Sequence, residues 1–245
     1  MGLTQAALGR VKDDPSVVAL ALQEAWFCGS PQNVQAVVGF KTASTDRNGT
    51  AFLARYGLSG AMKYQQIDTK ANQWLIGGDV CLDPACSATI PMYSVHFGDT
   101  SDDEIPNQAQ RVIDILGAQN GPRLFMGDLN VYKTDTWNPN VPCTGSDNSG
   151  RLRTISMIES AGYTDAWKAT QNSEGWTGMQ TRAGCGIPSG NLFKRIDYVH
   201  SSGMRTLSTD RFGRAEPGGD AASDHVGLIA ELSAVPVRAA QAPAK

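Results

Sequence analysis

Apolar and polar positions alternate along the chain in a pattern that opens with a helix and then turns to strands. Leu3, Ala6, Ala7 and Val11 recur at helical spacing, which predicts a helix over Leu3 to Val11. The unbroken apolar run from Val17 to Gln23, ending on Glu24, predicts a buried strand. Val34 to Phe40 and Thr50 to Arg55 read as further strands, with Asn48-Gly49 as the turn before the second. Trp74 to Val80 and Ile90 to His96 follow, joined through a short turn bracketed by Cys81 and Cys86. A second helix is predicted over Asn107 to Leu116, where Ala109, Val112, Ile113 and Leu116 share a face and Gly117 and Gly121-Pro122 stop it. Arg123 to Met126 reads as a short strand, Arg151 to Ala161 as a helix closed by Gly162, and Arg195 to His200 and Val226 to Leu232 as late strands. Several neighbouring strands are hairpin-connected, so an α+β fold with mixed, mainly antiparallel sheet and helices outside is expected rather than a purely parallel sheet.

A chain of 245 residues can bury one substantial core. One domain is expected over residues 1–233, followed by a flexible Ala/Pro-rich tail at 234–245. With 41% hydrophobic and 18% charged residues the chain is too apolar for disorder. No apolar run approaches the roughly 20 residues that span a bilayer, which argues against stable membrane insertion. The first residues lack the basic and apolar regions of a signal peptide, as the mature form of an exported protein also would.

The net charge of −3 supplies no global field to draw in a polyanion, so one would have to be held locally. Arg47, Arg55, Arg111, Arg123, Arg151, Arg153, Lys194 and Arg195 either converge on one face or form an ordinary solvated surface. Trp137, Trp167 and Trp176 are placed to stack on a base, to enter a bilayer or, as most tryptophans do, to pack in a core. The five cysteines include no CxxC pair and none has a histidine near it, which argues against zinc. Two disulfides in an exported protein fit better, with reduced thiols in a cytoplasmic enzyme as the alternative.

Chemistry enters at the strand ends, where a rigid scaffold can aim polar groups into a shared cleft. Glu24 ends one predicted strand and His96 another; Asp128 and Asn130 follow a third; Asp224-His225 opens the last. Asp197 falls inside the predicted strand Arg195-Ile196-Asp197-Tyr198-Val199, where a carboxylate needs a partner to offset its desolvation, and a histidine would serve.

The ordered strings Leu22-Gln23-Glu24, Val95-His96, Gly127-Asp128-Leu129-Asn130, Arg195-Ile196-Asp197-Tyr198 and Ser223-Asp224-His225 resemble the motifs of the endonuclease/exonuclease/phosphatase superfamily. Its members include deoxyribonuclease I, repair nucleases, neutral sphingomyelinases and inositol polyphosphate 5-phosphatases. The resemblance spans most of the chain and implies a four-layer α/β/β/α sandwich of two mixed, mainly antiparallel sheets. It implies a divalent-metal-dependent phosphodiester hydrolase. Glu24 and Asp224 would hold Mg2+ or Mn2+, with Ca2+ as an alternative, because such hard cations suit oxygen ligands. Asp128 and Asn130 would orient and deprotonate the attacking water or position the phosphate. His225 would donate to a phosphate oxygen, Asp197 would orient it and favour its charged form, and His96 would contact phosphate or protonate the leaving oxygen. Asn48 falls where the family places a phosphate-touching or supporting residue, although Asn-Gly is also simply a good turn. His200 matches no motif and reads as structural.

The resemblance also implies disulfides Cys81–Cys86 and Cys143–Cys185, with Cys28 left over, as in secreted deoxyribonucleases. It makes nucleic acid the expected substrate, and a small phosphoester or phospholipid the alternative. Relatives begin with a strand that carries an Asn or Asp metal ligand, for which this sequence shows no counterpart; neither Asp13 nor Asp14, just before Pro15, replaces it. The expected consequences are an open sheet edge prone to self-association and, as a competing reading, a catalytically impaired binding module.

Overall fold

The computed structural model describes residues 2–25, 30–98, 104–131, 149–171, 177–179, 192–212 and 225–234. In chain order the elements are α1 (Gly2–Asp13), β1 (Ala19–Leu22), α2 (Pro31–Val38), β2 (Thr42–Thr45), β3 (Ala51–Ala54), β4 (Lys63–Asp68), β5 (Gln73–Cys81) and β6 (Thr89–His96). There follow α3 (Glu104–Gly117), β7 (Arg123–Asp128), α4 (Ser149–Ser160), β8 (Thr164–Asp165), α5 (Ala166–Thr170), β9 (Gly178–Met179), β10 (Leu192–Lys194), β11 (Asp197–Ser202), β12 (Met204–Phe212) and β13 (Gly227–Ala234). One sheet has six strands in the order β4-β5-β6-β7-β11-β8, and a second has three in the order β1-β3-β2. The ribbons β12-β13 and β9-β10 accompany them. Strand pairing is antiparallel throughout, except that β6 and β7 run parallel.

The period-two alternation of the strands sorts side chains into three cores, and the cores define the layers. In β3, Leu53 points towards Leu8, Val11, Val34 and Val38 of the first two helices. Its neighbours Phe52 and Ala54 point the other way, onto Ile76, Val80, Ile90, Met92 and Leu124 of the six-stranded sheet. From that sheet Leu75, Tyr93, Val95 and Phe125 turn outward to meet Ile105, Val112, Leu116, Ile155 and Ile158 of α3 and α4. The sequence of layers is therefore helices, small sheet, large sheet, helices, the expected α+β sandwich. Among the described residues no helix is long and apolar enough to cross a membrane.

Residues Val34 to Phe40, expected as a strand, are instead mostly in α2. Ser30 accepts a hydrogen bond from the Asn33 amide as N-cap, Pro31 occupies the first turn, and Gly39 at φ 73° closes the helix. Val34 and Val38 then fall one turn apart on the buried face. Strands β2, β4 and β12 and the short strands β8, β9 and β10 were not anticipated, and Asp197 begins β11 rather than lying inside it. Strand β13 runs to Ala234, and residues 235–245 of the expected tail lie outside the described residues. Cys81 and Cys86 form the expected disulfide at the end of the β5–β6 hairpin; Cys28, Cys143 and Cys185 lie outside the described residues.

Candidate active site

Strand register alone brings three of the expected residues into one row. His96 is the last residue of β6 and pairs with Asp128 at the end of β7; Asp128 pairs in turn with Asp197 at the start of β11. Residues opposite one another on neighbouring strands point to the same face, so imidazole, carboxylate and carboxylate emerge side by side at one end of the large sheet. His225 completes the group from just before β13. Its Nδ1 lies 2.9 Å from Asp197 Oδ2.

The backbone that carries Asp128 admits only glycine before it. Gly127 has φ 144°, and a Cβ there would stand 1.9 Å from the Val95 carbonyl oxygen and 2.8 Å from Gln23 Nε2. Gln23 reaches in from the end of β1 and donates to Ser94 Oγ at 3.2 Å, which ties the small sheet to the large one beneath the site. Asp128 Oδ1 accepts from the Asn130 amide at 2.7 Å, and Asn130 itself sits at φ 51°, a left-handed conformation that asparagine tolerates better than most residues. Tyr198 Oη donates to the Val131 and Arg195 carbonyls, fixing the segments that follow β7 and precede β11.

The environments of the two histidines differ. The His96 side chain is 13% exposed, with Nε2 3.8 Å from Asp128 Oδ2 and 3.3 Å from Asn130 Nδ2. Asn130 Nδ2 also donates to the Phe97 carbonyl at 2.7 Å, so the amide nitrogen faces His96 and the facing Nε2 must accept. Burial pushes the His96 imidazole below its usual range, and nearby His225 adds to this, against Glu24, Asp197 and Asp46, which pull it up. Both effects favour the neutral imidazole, in which Nε2 accepts and the proton sits on Nδ1. Asp197 shows the opposite balance. Burial pushes its carboxyl up, but the charge of His225, the hydrogen bond to it and one from Thr177 outweigh that and hold it below the usual carboxylate range. Asp128, Asp197 and His225 each offer a ligand atom, all within 4.8 Å of one another, a spacing that a metal ion could bridge.

The remaining expected residues are placed differently. Glu24, at φ 53°, is exposed at the end of β1, within electrostatic reach of His96 but outside that three-residue group. Asp224 lies outside the described residues. Asn48 donates through Nδ2 to the carbonyls of Ala71 at 3.1 Å and Asn72 at 2.7 Å, so its amide hydrogens hold the β4–β5 turn. Three of the expected basic residues are engaged within the fold. Arg55 donates to the Val11, Lys12 and Asp14 carbonyls and caps α1; Arg123 bonds Tyr163; Arg195 is buried against Asp165. His200 is fully buried, stacked 5.4 Å from Phe125 and 5.3 Å from Tyr198. Trp167 is buried, while Trp137 and Trp176 lie outside the described residues. Gln23 could have been noticed as an amide ending an apolar run. Thr177 offered no signal at all.

The sequence matches the endonuclease/exonuclease/phosphatase family over residues 6–225. The chain belongs to that family. Membership supports phosphoester hydrolysis as the general chemistry of this chain. Solved structures agree in fold. A family protein from Beutenbergia cavernae DSM 12333 superposes with TM-score 0.68 at 17% identity, covering 96% of this chain and 66% of its own. The chain thus spans just under two thirds of that protein. D. rerio TDP2, complexed with single strand DNA product, gives TM-score 0.65 at 15% identity over 95% of this chain and 93% of its own. A family protein from Leptotrichia buccalis C-1013-b gives 0.63 at 15% identity over 94% and 92%. No curated protein matches the sequence significantly.

Proposed function

We propose that this protein is an exported, divalent-metal-dependent nuclease that cleaves DNA by in-line attack of an activated water. The observation that carries the reading is the His225–Asp197 pair, at 2.9 Å, standing beside Asp128 in one strand row. Asp128 takes the proton of the attacking water, and Asn130, held by its bonds to Asp128 and to the Phe97 carbonyl, keeps that carboxylate in place. Asp197 holds His225 through Nδ1 and favours its protonated form, so that Nε2 addresses the phosphate oxygen on which charge builds. His96, neutral, contributes a hydrogen bond to phosphate rather than a charge.

The donor set fits a hard cation, being rich in carboxylate oxygens. Glu24 and Asp224 would hold Mg2+, or Mn2+ or Ca2+ in its place, and the ion would neutralise the charge developing on the phosphate. That D. rerio TDP2 was captured with a single strand DNA product supports a nucleic acid substrate. The Cys81–Cys86 disulfide supports export. Self-association belongs to the same reading, because among the described residues β1 has a strand partner on one side only.

The test is magnesium-dependent nicking of plasmid DNA, with RNA, sphingomyelin and an inositol phosphate assayed in parallel. Asp128→Ala and His225→Ala should each lower the rate by about a hundredfold or more. Equal rates in the wild type and both variants remove the hydrolase reading. Turnover of only a lipid or a phosphomonoester moves the substrate to that class.

A further inference from the structure

Thr177 is fully buried and joins three separate stretches of chain at the site. Its carbonyl accepts from the Val226 amide at 2.8 Å, the residue next to His225. Its Oγ1 accepts from the amides of Ile196 at 3.3 Å and Asp197 at 3.1 Å. A threonine hydroxyl oxygen has two lone pairs, so these two bonds use its whole accepting capacity. One residue thereby fixes the start of β11 through its side chain and the approach to β13 through its main chain.

We propose that Thr177 is a positioning residue that sets the Asp197–His225 pair: it fixes the backbone from which Asp197 projects and the distance at which His225 meets it. Asp197 opens β11, where the pairing with Asp128 begins, and the amides of Ile196 and Asp197 at that point are held by the Thr177 hydroxyl. His225 arrives from a different strand ribbon, and the Val226 amide to Thr177 carbonyl bond stops that ribbon at hydrogen-bonding distance from Asp197. A group held this way retains its geometry without the substrate, which is what a preorganised proton donor requires.

Thr177→Val keeps the shape of the side chain and removes the hydroxyl; Thr177→Ser restores the hydroxyl without the methyl. The chain has three histidines, so the imidazole nitrogens and their protons can be assigned by 15N-histidine NMR on the whole protein. The hydrogen-bonded Nδ1 proton of His225 should be visible in the wild type and in Thr177→Ser, and lost to solvent exchange in Thr177→Val. Should Thr177→Val not fold, Thr177→Ala against Thr177→Ser makes the same comparison. The kinetic arm rests on the nuclease reading: kcat should fall about 10- to 100-fold in Thr177→Val with KM little changed, and Thr177→Ser should recover it. Retention of the Nδ1 proton in Thr177→Val, or its loss in Thr177→Ser, overturns the assignment whatever the activity. A wild-type protein that hydrolyses no phosphoester removes the nuclease reading, and the NMR comparison still decides Thr177.

Discussion

The two histidines of the site do different electrostatic work because their neighbours differ. His225 has a carboxylate on Nδ1, which favours charge; His96 is buried and its Nε2 is occupied as an acceptor, which favours neutrality. The second condition has a sign that can be measured. With its folded-state value below the ordinary 6.5, His96 takes up its proton later in the native protein than in the unfolded chain. Its contribution to stability is therefore intact above pH 6.5 and declines as the pH falls through and below that value. Urea denaturation of metal-free protein should show the wild type losing more stability than His96→Gln between neutral pH and a pH well below 6.5. Parallel slopes in the two proteins would mean that His96 is not protected from protonation.

At the scale of elements, the strongest constraint is the close approach of β6 and β7 at Gly127. Replacing Gly127 by Ala puts a methyl into the Val95 carbonyl in a backbone conformation hostile to side chains, and should cost about 3 kcal/mol or more. Chemical denaturation checks this, and a variant as stable as the wild type would show that β7 can shift away from β6. His96, Asp128 and Asp197 were legible from the sequence, since each lies at the end of an apolar run or inside one, whereas Gly127 stood there only as part of the Gly-Asp-Leu-Asn string. The failures share a cause. Strand β4 is an edge strand reading Lys63-Tyr64-Gln65-Gln66, and β12 is largely exposed, so neither carries the apolar alternation that marks a half-buried strand. In α2 a short run of valines favoured a strand, and the Ser30 cap, Pro31 and Gly39 decided for a helix. The role of Thr177 had no signature because it depends on three segments far apart in sequence meeting at one hydroxyl.

At the scale of the whole molecule, three cores lie between four layers, and the small sheet is the thinner partner. Its strands have four residues each, and β1 ends it on one side among the described residues. If that edge is open, it offers backbone groups to another chain. Size-exclusion chromatography with light scattering should find a concentration-dependent population larger than a monomer; a monodisperse monomer across the accessible concentration range would count against self-association. The dispersal of the site along the chain has a different consequence. His96, Asp128, Asp197 and His225 come from four distant stretches, and the Asp197–His225 pair is complete only with the last of them. During synthesis the amino-terminal layers emerge first, so a nascent chain can build the helices, the small sheet and the β5–β6–β7 framework while it still lacks the Asp197–His225 pair. On the reading proposed above, a chain cut short before residue 225 would lack this pair and, with it, the activity that depends on it.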